Sequence, residues 1–189
     1  MQPWEKLSQN IEYNCGLFRI LKYQSRSPQS HRQYPFWILS THDWVNIVAL
    51  TPDFHVMLVS QYRHGTEEIS LEIPGGAIDP NDSTPQAAAQ RELLEETGCQ
   101  AQEWAQLGSV YPNPAIQNNR CFCFLALGVQ KVSELHLDPS EELEVEVHPL
   151  IQFPNLITQG IIRHSLVIVA FYFLREFQRQ HPEKITVMF

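Results

Sequence analysis

Three carboxylates, Glu92, Glu95 and Glu96, stand at spacing i, i+3 and i+4 within the string RELLEETG from Arg91 to Gly98. On a helix turning about 100° per residue, that spacing places all three in one sector. Like charges so close cost a bare helix roughly 0.2–0.5 kcal/mol per pair and raise one another's pKa unless a cation neutralises them. Two readings follow. One is a solvated acidic face on which Arg91 pairs with Glu95; the other is a set of hard oxygen ligands for a divalent cation. The paired glycines Gly75-Gly76 upstream, where backbone can approach a ligand closely, and the stop at Gly98 immediately after the acidic run favour the cation.

These residues need a helix and a scaffold around it. Thr84 offers an N-cap hydroxyl, Pro85 suits the first helical position, and Gln86 to Thr97 are mostly helix formers ending at Gly98. Leu93, Leu94 and Ala87 are expected to bury, with Ala88 and Ala89 beside the acidic sector keeping it open to a bulky ligand. Strands are expected at residues 17–23 and 35–40, forming a hairpin around an exposed loop from Gln24 to Tyr34, and at 44–50, 55–61, 103–110, 121–127 and 143–148. Gly75-Gly76 is expected in an irregular loop. A second helix is expected from about Gln159 to Phe177, packed on the sheet through Leu166, Ile168, Val169 and Phe173. No repeat, low-complexity tract or linker interrupts the chain, and the class is mixed α/β.

Composition narrows the partners. The chain has 189 residues, 43% of them hydrophobic, enough for the core of one domain. Thirteen basic against twenty-one acidic residues give a net charge of −8, which argues against a polymeric nucleic-acid partner. An anionic substrate would then need bound divalent cations to neutralise it. Cys15, Cys99, Cys121 and Cys123 have neither zinc-type pairing nor a secretory pattern, and are expected as buried thiols in a reducing compartment. The longest apolar run, Leu166 to Leu174, is far short of the ~20 residues a bilayer span needs. Met1 to Asn10 has no basic or apolar export pattern, so no membrane association and a cytoplasmic location are expected.

Other residues carry two readings each. Arg63, after an apolar strand, can meet a phosphate in two-pronged fashion or form a surface ion pair. Trp44 can stack on a base or fill the core. His64, His148 and His164 share no ligand spacing and read as surface or satisfied core histidines. Asp138, Glu141, Glu142 and Glu144 form an acidic stretch that, taken alone, reads as a solvated loop.

The segment GGAIDPNDSTPQAAAQRELLEETGC, Gly75 to Cys99, closely resembles the box that defines Nudix hydrolases, which cleave nucleoside diphosphates linked to another group. REXXEEXG matches in full at Arg91 to Gly98. The family places a Glu six residues after the Gly and eight before the Arg; from Gly76, Asp82 meets the first spacing and Ser83 the second, so this loop has one residue more. VSQYRHG at Val59 to Gly65, LEIPGG at Leu71 to Gly76 and YPNPAIQNN at Tyr111 to Asn119 resemble the ADP-ribose and nucleoside diphosphate sugar pyrophosphatase branch, a likeness covering roughly residues 17 to 175.

The resemblance implies an α-β-α sandwich, a mixed sheet between helices, with an N-terminal β-hairpin extension. Residues 1–42 would be that extension, dimer-forming, and residues 43–189 the Nudix domain. It implies Mg²⁺- or Mn²⁺-dependent hydrolysis of a nucleotide-sugar pyrophosphate bond by a homodimer. Glu92, Glu95, Glu96 and the Gly75 carbonyl are the expected metal ligands, and Arg63, Trp44 and Glu72 the substrate-binding residues. Glu141 or Glu142 is expected as the catalytic base on a loop before a strand, with Glu95 also in the catalytic set. The rival readings are a nucleotide-sugar sensor without turnover, and a hydrolase of dinucleoside polyphosphates or nucleoside triphosphates on the same scaffold.

Overall fold

The computed structural model describes residues 1–137 and 141–189, so Asp138 of the acidic stretch lies outside the described residues. Two compact units emerge, Met1–Asp43 with Tyr111–Arg120, and Trp44–Val110 with Cys121–Phe189.

The first unit is a three-stranded antiparallel sheet of β1 (Glu5–Asn14), β2 (Arg19–Arg26) and β3 (Gln33–Ser40), in that order. β2 and β3 form the expected hairpin, with a shorter loop. Ser25 still pairs with Tyr34 and Arg26 with Gln33, because backbone hydrogen bonding continues through these polar positions. β1 is not among the strands expected from the sequence: Leu7, Ile11 and Tyr13 alternate with polar residues, but Gln9 interrupts them and the strand is exposed along almost its whole length. Its register to β2 and the Glu5–Arg26 ion pair at 2.9 Å hold it. In the second segment of this unit, Arg120 donates its backbone N–H to Asp43 at 2.6 Å, and Leu39 bridges Gln117.

The second unit contains β4 (Trp44–Leu50), β5 (His55–Arg63), β6 (Glu68–Glu72), β7 (Gly75–Ala77), α1 (Pro85–Thr97), β8 (Cys99–Gln100), β9 (Glu103–Val110), β10 (Cys121–Leu127), β11 (Gln130–Lys131), β12 (Leu143–Pro149), α2 (Phe153–Thr158) and α3 (Ser165–Gln180). Its main sheet runs β12-β5-β4-β10-β9, with β6 on β5 and β7 on β4. β4 and β10 are parallel and the remaining pairs antiparallel, so the sheet is mixed. Alternation sends side chains into two apolar layers. Val45, Ile47, Ala49, Phe124 and Ala126 pack with Ala88, Ala89 and Leu93 of α1. Val48, Leu50, Leu58 and Leu125 pack with Val167, Ala170, Phe171 and Leu174 of α3. This is the α-β-α sandwich. Each such large side chain, fully buried, contributes about 1.5–3 kcal/mol.

Three local expectations are corrected. α3 starts at Ser165 rather than Gln159, because Gly160 at φ 71° ends α2 and the Ile161 and Ile162 N–H groups turn back onto the Leu156 carbonyl. Gly75-Gly76 is a short strand paired to Asn46 and Val45, not an irregular loop. Cys15 is exposed, whereas Cys99, Cys121 and Cys123 are buried. Among the described residues no helix is long and apolar enough to cross a membrane.

Candidate active site

α1 sets the site. Thr84 Oγ1 accepts the Ala87 N–H at 3.0 Å, a cap contributing about 1 kcal/mol, and Gly98 closes the helix in the left-handed region at φ 68°. Ala89, Leu93 and Glu96 follow at i, i+4 and i+7, so one stripe of the helix carries two apolar residues and then a carboxylate into the sheet. Ala88 and Ala89 are therefore core residues rather than flanks of an open face, while Ala87 and Leu94 are only half-buried. Glu96 is 4% exposed.

β7 lies against this stripe. The Gly75 N–H donates to Glu96 Oε2 at 3.0 Å. A Cβ on Gly76 would stand 2.5 Å from Glu92 Cδ, and one on Gly75 would meet Asn46 Oδ1 at 2.9 Å. Both glycines thus permit carboxylate and strand to come this close. Burial pushes the Glu96 carboxyl up to about 8, against the Gly75 N–H, with the charges of Glu92 and Glu141 adding to it. Burial likewise raises Glu92 to about 7, against the nearby Arg91 charge.

Arg91 spreads its guanidinium over the rest of the acidic set. Nε and Nη2 hold Asp82 at 3.2 and 2.9 Å, Nη2 also donates to the Ala77 carbonyl at 3.1 Å, and Nη1 donates to Glu92 at 3.0 Å and Glu95 at 2.8 Å. The fork lowers the Asp82 pKa, its hydrogen bond being the main cause, and Asp82 in turn raises Arg91 well above its ordinary value. Glu95 does pair with Arg91, as the solvated-face reading expects, and its side chain is 40% exposed. Among the described residues no three acidic, His or Cys side chains are gathered as a preformed metal cage.

Arg63 ends β5 and folds back on Glu72 at the end of β6, with Nε and Nη2 at 2.9 Å from the two carboxylate oxygens. Burial would raise Glu72, but the Arg63 hydrogen bonds and charge outweigh it and hold the carboxyl below the usual range. His164 Nε2 lies 3.9 Å from Glu72 Oε2. The charges of Glu96 and Glu141 reach Arg63. Glu141 is thereby placed within electrostatic reach of Glu92, Glu96 and Arg63 together. Glu142 is exposed. Trp44 begins β4 half-buried, opposite Ala77.

The family description "NUDIX domain" matches residues 40–168. The chain belongs to the NUDIX domain family. It is similar to the ADP-ribose pyrophosphatase of Mycobacterium tuberculosis, 29% identical over 128 residues, or 67% of this chain and 61% of that one. The chain thus spans under two thirds of that relative's length. ADP compounds hydrolase NudE of Escherichia coli is 27% identical over 169 residues, 89% of this chain and 82% of the other. A crystal structure of ADP compounds hydrolase superposes with a TM-score of 0.84 at 23% identity, covering 96% of this chain and 97% of that one, a likeness of fold.

The Nudix residues fit a hard divalent ion by their chemistry. Glu92 and Glu96 are oxygen donors whose charged forms are destabilised by burial, so a cation beside them restores ionisation. Two residues beside this Nudix site had no legible signal in the sequence. Asp82 matches one family spacing and misses the other, which hid its pairing with Arg91 across nine residues. His164 shares no spacing with any other ligand and reaches Glu72 only through the fold.

Proposed function

We propose that this Nudix chain hydrolyses the pyrophosphate bond of a nucleoside diphosphate sugar, ADP-ribose or a similar compound, to a nucleoside monophosphate and a sugar phosphate, with Mg²⁺ or Mn²⁺ as cofactor. The observation that carries the reading is the buried Glu96 carboxylate, which takes the Gly75 N–H at 3.0 Å beside the half-buried Glu92 packed on Gly76, with Arg63 and Glu141 within electrostatic reach of Glu96. The relatives named ADP-ribose pyrophosphatase and ADP compounds hydrolase support the substrate class. Glu92, Glu95, Glu96 and the Gly75 carbonyl would hold the cation, which supplies positive charge to phosphate oxygens and lowers the pKa of bound water.

The chain's own groups do the rest. Arg63 presents the guanidinium edge not used by Glu72 to a phosphate, and Glu72 fixes that edge in place. Trp44 offers its ring to the base. Glu141, with Glu142 beside it, accepts the proton of the attacking water. Residues 43–189 carry this chemistry. Residues 1–42 pair with a second copy through the exposed aromatic cluster of Trp4, Tyr34 and Phe36, in which Trp4 meets Phe36 edge-on at 5.3 Å and Tyr34 at 5.9 Å.

A substrate panel tests the reading. Nucleotide sugars, dinucleoside polyphosphates and nucleoside triphosphates are incubated with Mg²⁺, Mn²⁺ or EDTA, and phosphate is read after phosphatase addition. Nucleotide sugars should release phosphate only with metal and only after phosphatase. Turnover confined to triphosphates would replace the substrate assignment, and tight ADP-ribose binding without turnover under every metal condition would replace the enzyme by a sensor.

A further inference from the structure

Two charged or titratable side chains, Arg63 and His164, meet at Glu72, although its own is 4% exposed. Arg63 occupies both carboxylate oxygens through Nε and Nη2, so Nη1 and one N–H of Nη2 are the guanidinium donors not spent on Glu72. The imidazole of His164, at the N-cap of α3, stands 3.9 Å from the same Oε2 that takes Arg63 Nη2, outside hydrogen-bond distance. Its other nitrogen, Nδ1, is buried and has no hydrogen-bond partner. No second bond holds the ring, so closing the gap to Oε2 breaks nothing.

We infer that His164 controls how much of the Arg63 guanidinium is offered to an anionic ligand, by competing for the Glu72 carboxylate. When the imidazole is neutral, Arg63 keeps both oxygens. A protonated imidazole donates Nε2–H to Oε2 as a charge-assisted hydrogen bond and displaces Nη2, leaving Arg63 held by Nε alone. Nη1 and Nη2 then form a free two-pronged edge that matches two oxygens of a phosphate. Imidazole changes charge within the physiological range, so anion affinity at this position rises as pH falls. The inference rests on the proposed reading of Arg63 as the phosphate-binding residue. His164 is a positioning residue in this scheme: it acts through Glu72 and touches no substrate.

Other charges bear on the same region. Glu96 and Glu141 act on Arg63, Glu92 couples to Glu96 and Glu141, and Arg163, next to His164, pairs with Glu68 on β6. The test must therefore be a comparison at each pH. ADP-ribose, whose two phosphates are singly ionised diesters that do not titrate near neutrality, is bound to the full chain in EDTA, without turnover. Affinity is measured by calorimetry from about pH 5.5 to about pH 8.5 for wild type, His164→Gln and Arg63→Gln. The ratio of the His164→Gln to the wild-type Kd should be near one at the alkaline end. It should rise to roughly five- to tenfold at the acid end, the gain of about one charge-assisted hydrogen bond. A ratio that does not change with pH overturns the role of His164. If Arg63→Gln binds ADP-ribose as wild type does, the reading of Arg63 itself fails, and the two failures are distinct. Circular dichroism of each variant confirms the fold, and His164→Asn, a shorter amide, should give the same pH-dependent ratio as His164→Gln.

Discussion

Glu96→Gln should make the metal-free protein more stable at alkaline pH while removing its turnover. Glu96 lies on the buried stripe of α1, not on an open face, and its carboxyl is raised from 4.5 to about 8 by burial. A carboxyl raised in the folded state contributes stability that is fully present below the unfolded value and is lost as pH rises through the folded one. Between about pH 5 and about pH 9 that loss integrates to about 4 kcal/mol, taking 1.36 kcal/mol per pKa unit. A chain of this size melts about 2–4 °C lower per kcal/mol, so the wild type in EDTA should fall by about 8–16 °C more than the variant across this range. The amide still accepts the Gly75 N–H, and near pH 5 the two proteins should melt together. Glu92 is present in both, so the difference between the curves reads Glu96 together with its coupling to Glu92. Thermal unfolding by circular dichroism, repeated with saturating Mg²⁺, reads it. Mg²⁺ should recover about 3 kcal/mol for the wild type at a hundredfold excess over its Kd and much less for the variant. Parallel melting curves for the two proteins would refute the burial argument, and wild-type turnover in the variant would refute the ligand role.

Asp82→Asn should cost about 1 kcal/mol and lower kcat, because it weakens the two-pronged hold on Arg91 and lets its Nη1 arm loosen on Glu92 and Glu95; unchanged denaturation and turnover would refute that coupling. Glu141→Gln should reduce kcat by about 10²-fold or more with KM nearly unchanged, while Glu142→Gln should do little, since the charge of Glu141 is the one felt at Glu92, Glu96 and Arg63. Equal losses in both variants, or in neither, would count against this assignment. Light scattering at micromolar concentration should give twice the 21.9 kDa chain mass. Phe36→Lys, which charges the exposed aromatic face, should shift that mass toward the monomer.

Local signals were the legible ones. Thr84, Pro85 and Gly98 mark both ends of α1 within a residue, because caps act over one helical turn. The apolar run Trp44 to Leu50 reads as a strand buried on both faces, and its odd and even residues do enter different apolar layers. β1 was missed, because the alternation of Leu7, Ile11 and Tyr13 in EKLSQNIEYN is interrupted by Gln9 and the strand, bulged twice against β2, stays exposed. The α1 face was misjudged for another reason. Three carboxylates at helical spacing suggest a single solvent-facing sector, yet Ala89 and Leu93 place Glu96 on the stripe that packs against β4 and β7, and the two glycines that accept it there are distant in sequence. Arg63 and Glu72 both stand in recognisable motifs, but only the β5–β6 hairpin turns them toward each other.

The division of labour among the carboxylates follows from what Arg91 has already used. Its five N–H groups serve Asp82, the Ala77 carbonyl, Glu92 and Glu95, so the guanidinium has no donor left to turn toward a substrate. Arg91 therefore holds the acidic set together, and the phosphate contact proposed above falls to Arg63 rather than to Arg91. The same arrangement leaves Glu96 apart: among the described residues it has a backbone N–H and no ion pair, although it is the most deeply buried of the three. A buried carboxylate without a cation is a large local cost, and it is met here by a raised pKa rather than by a salt bridge. Arg91 thus neutralises the rim, and Glu96 is the position at which added positive charge gains most. In a chain with a net charge of −8, that is where the proposed cation would gain most and would offset the charge of the proposed anionic substrate.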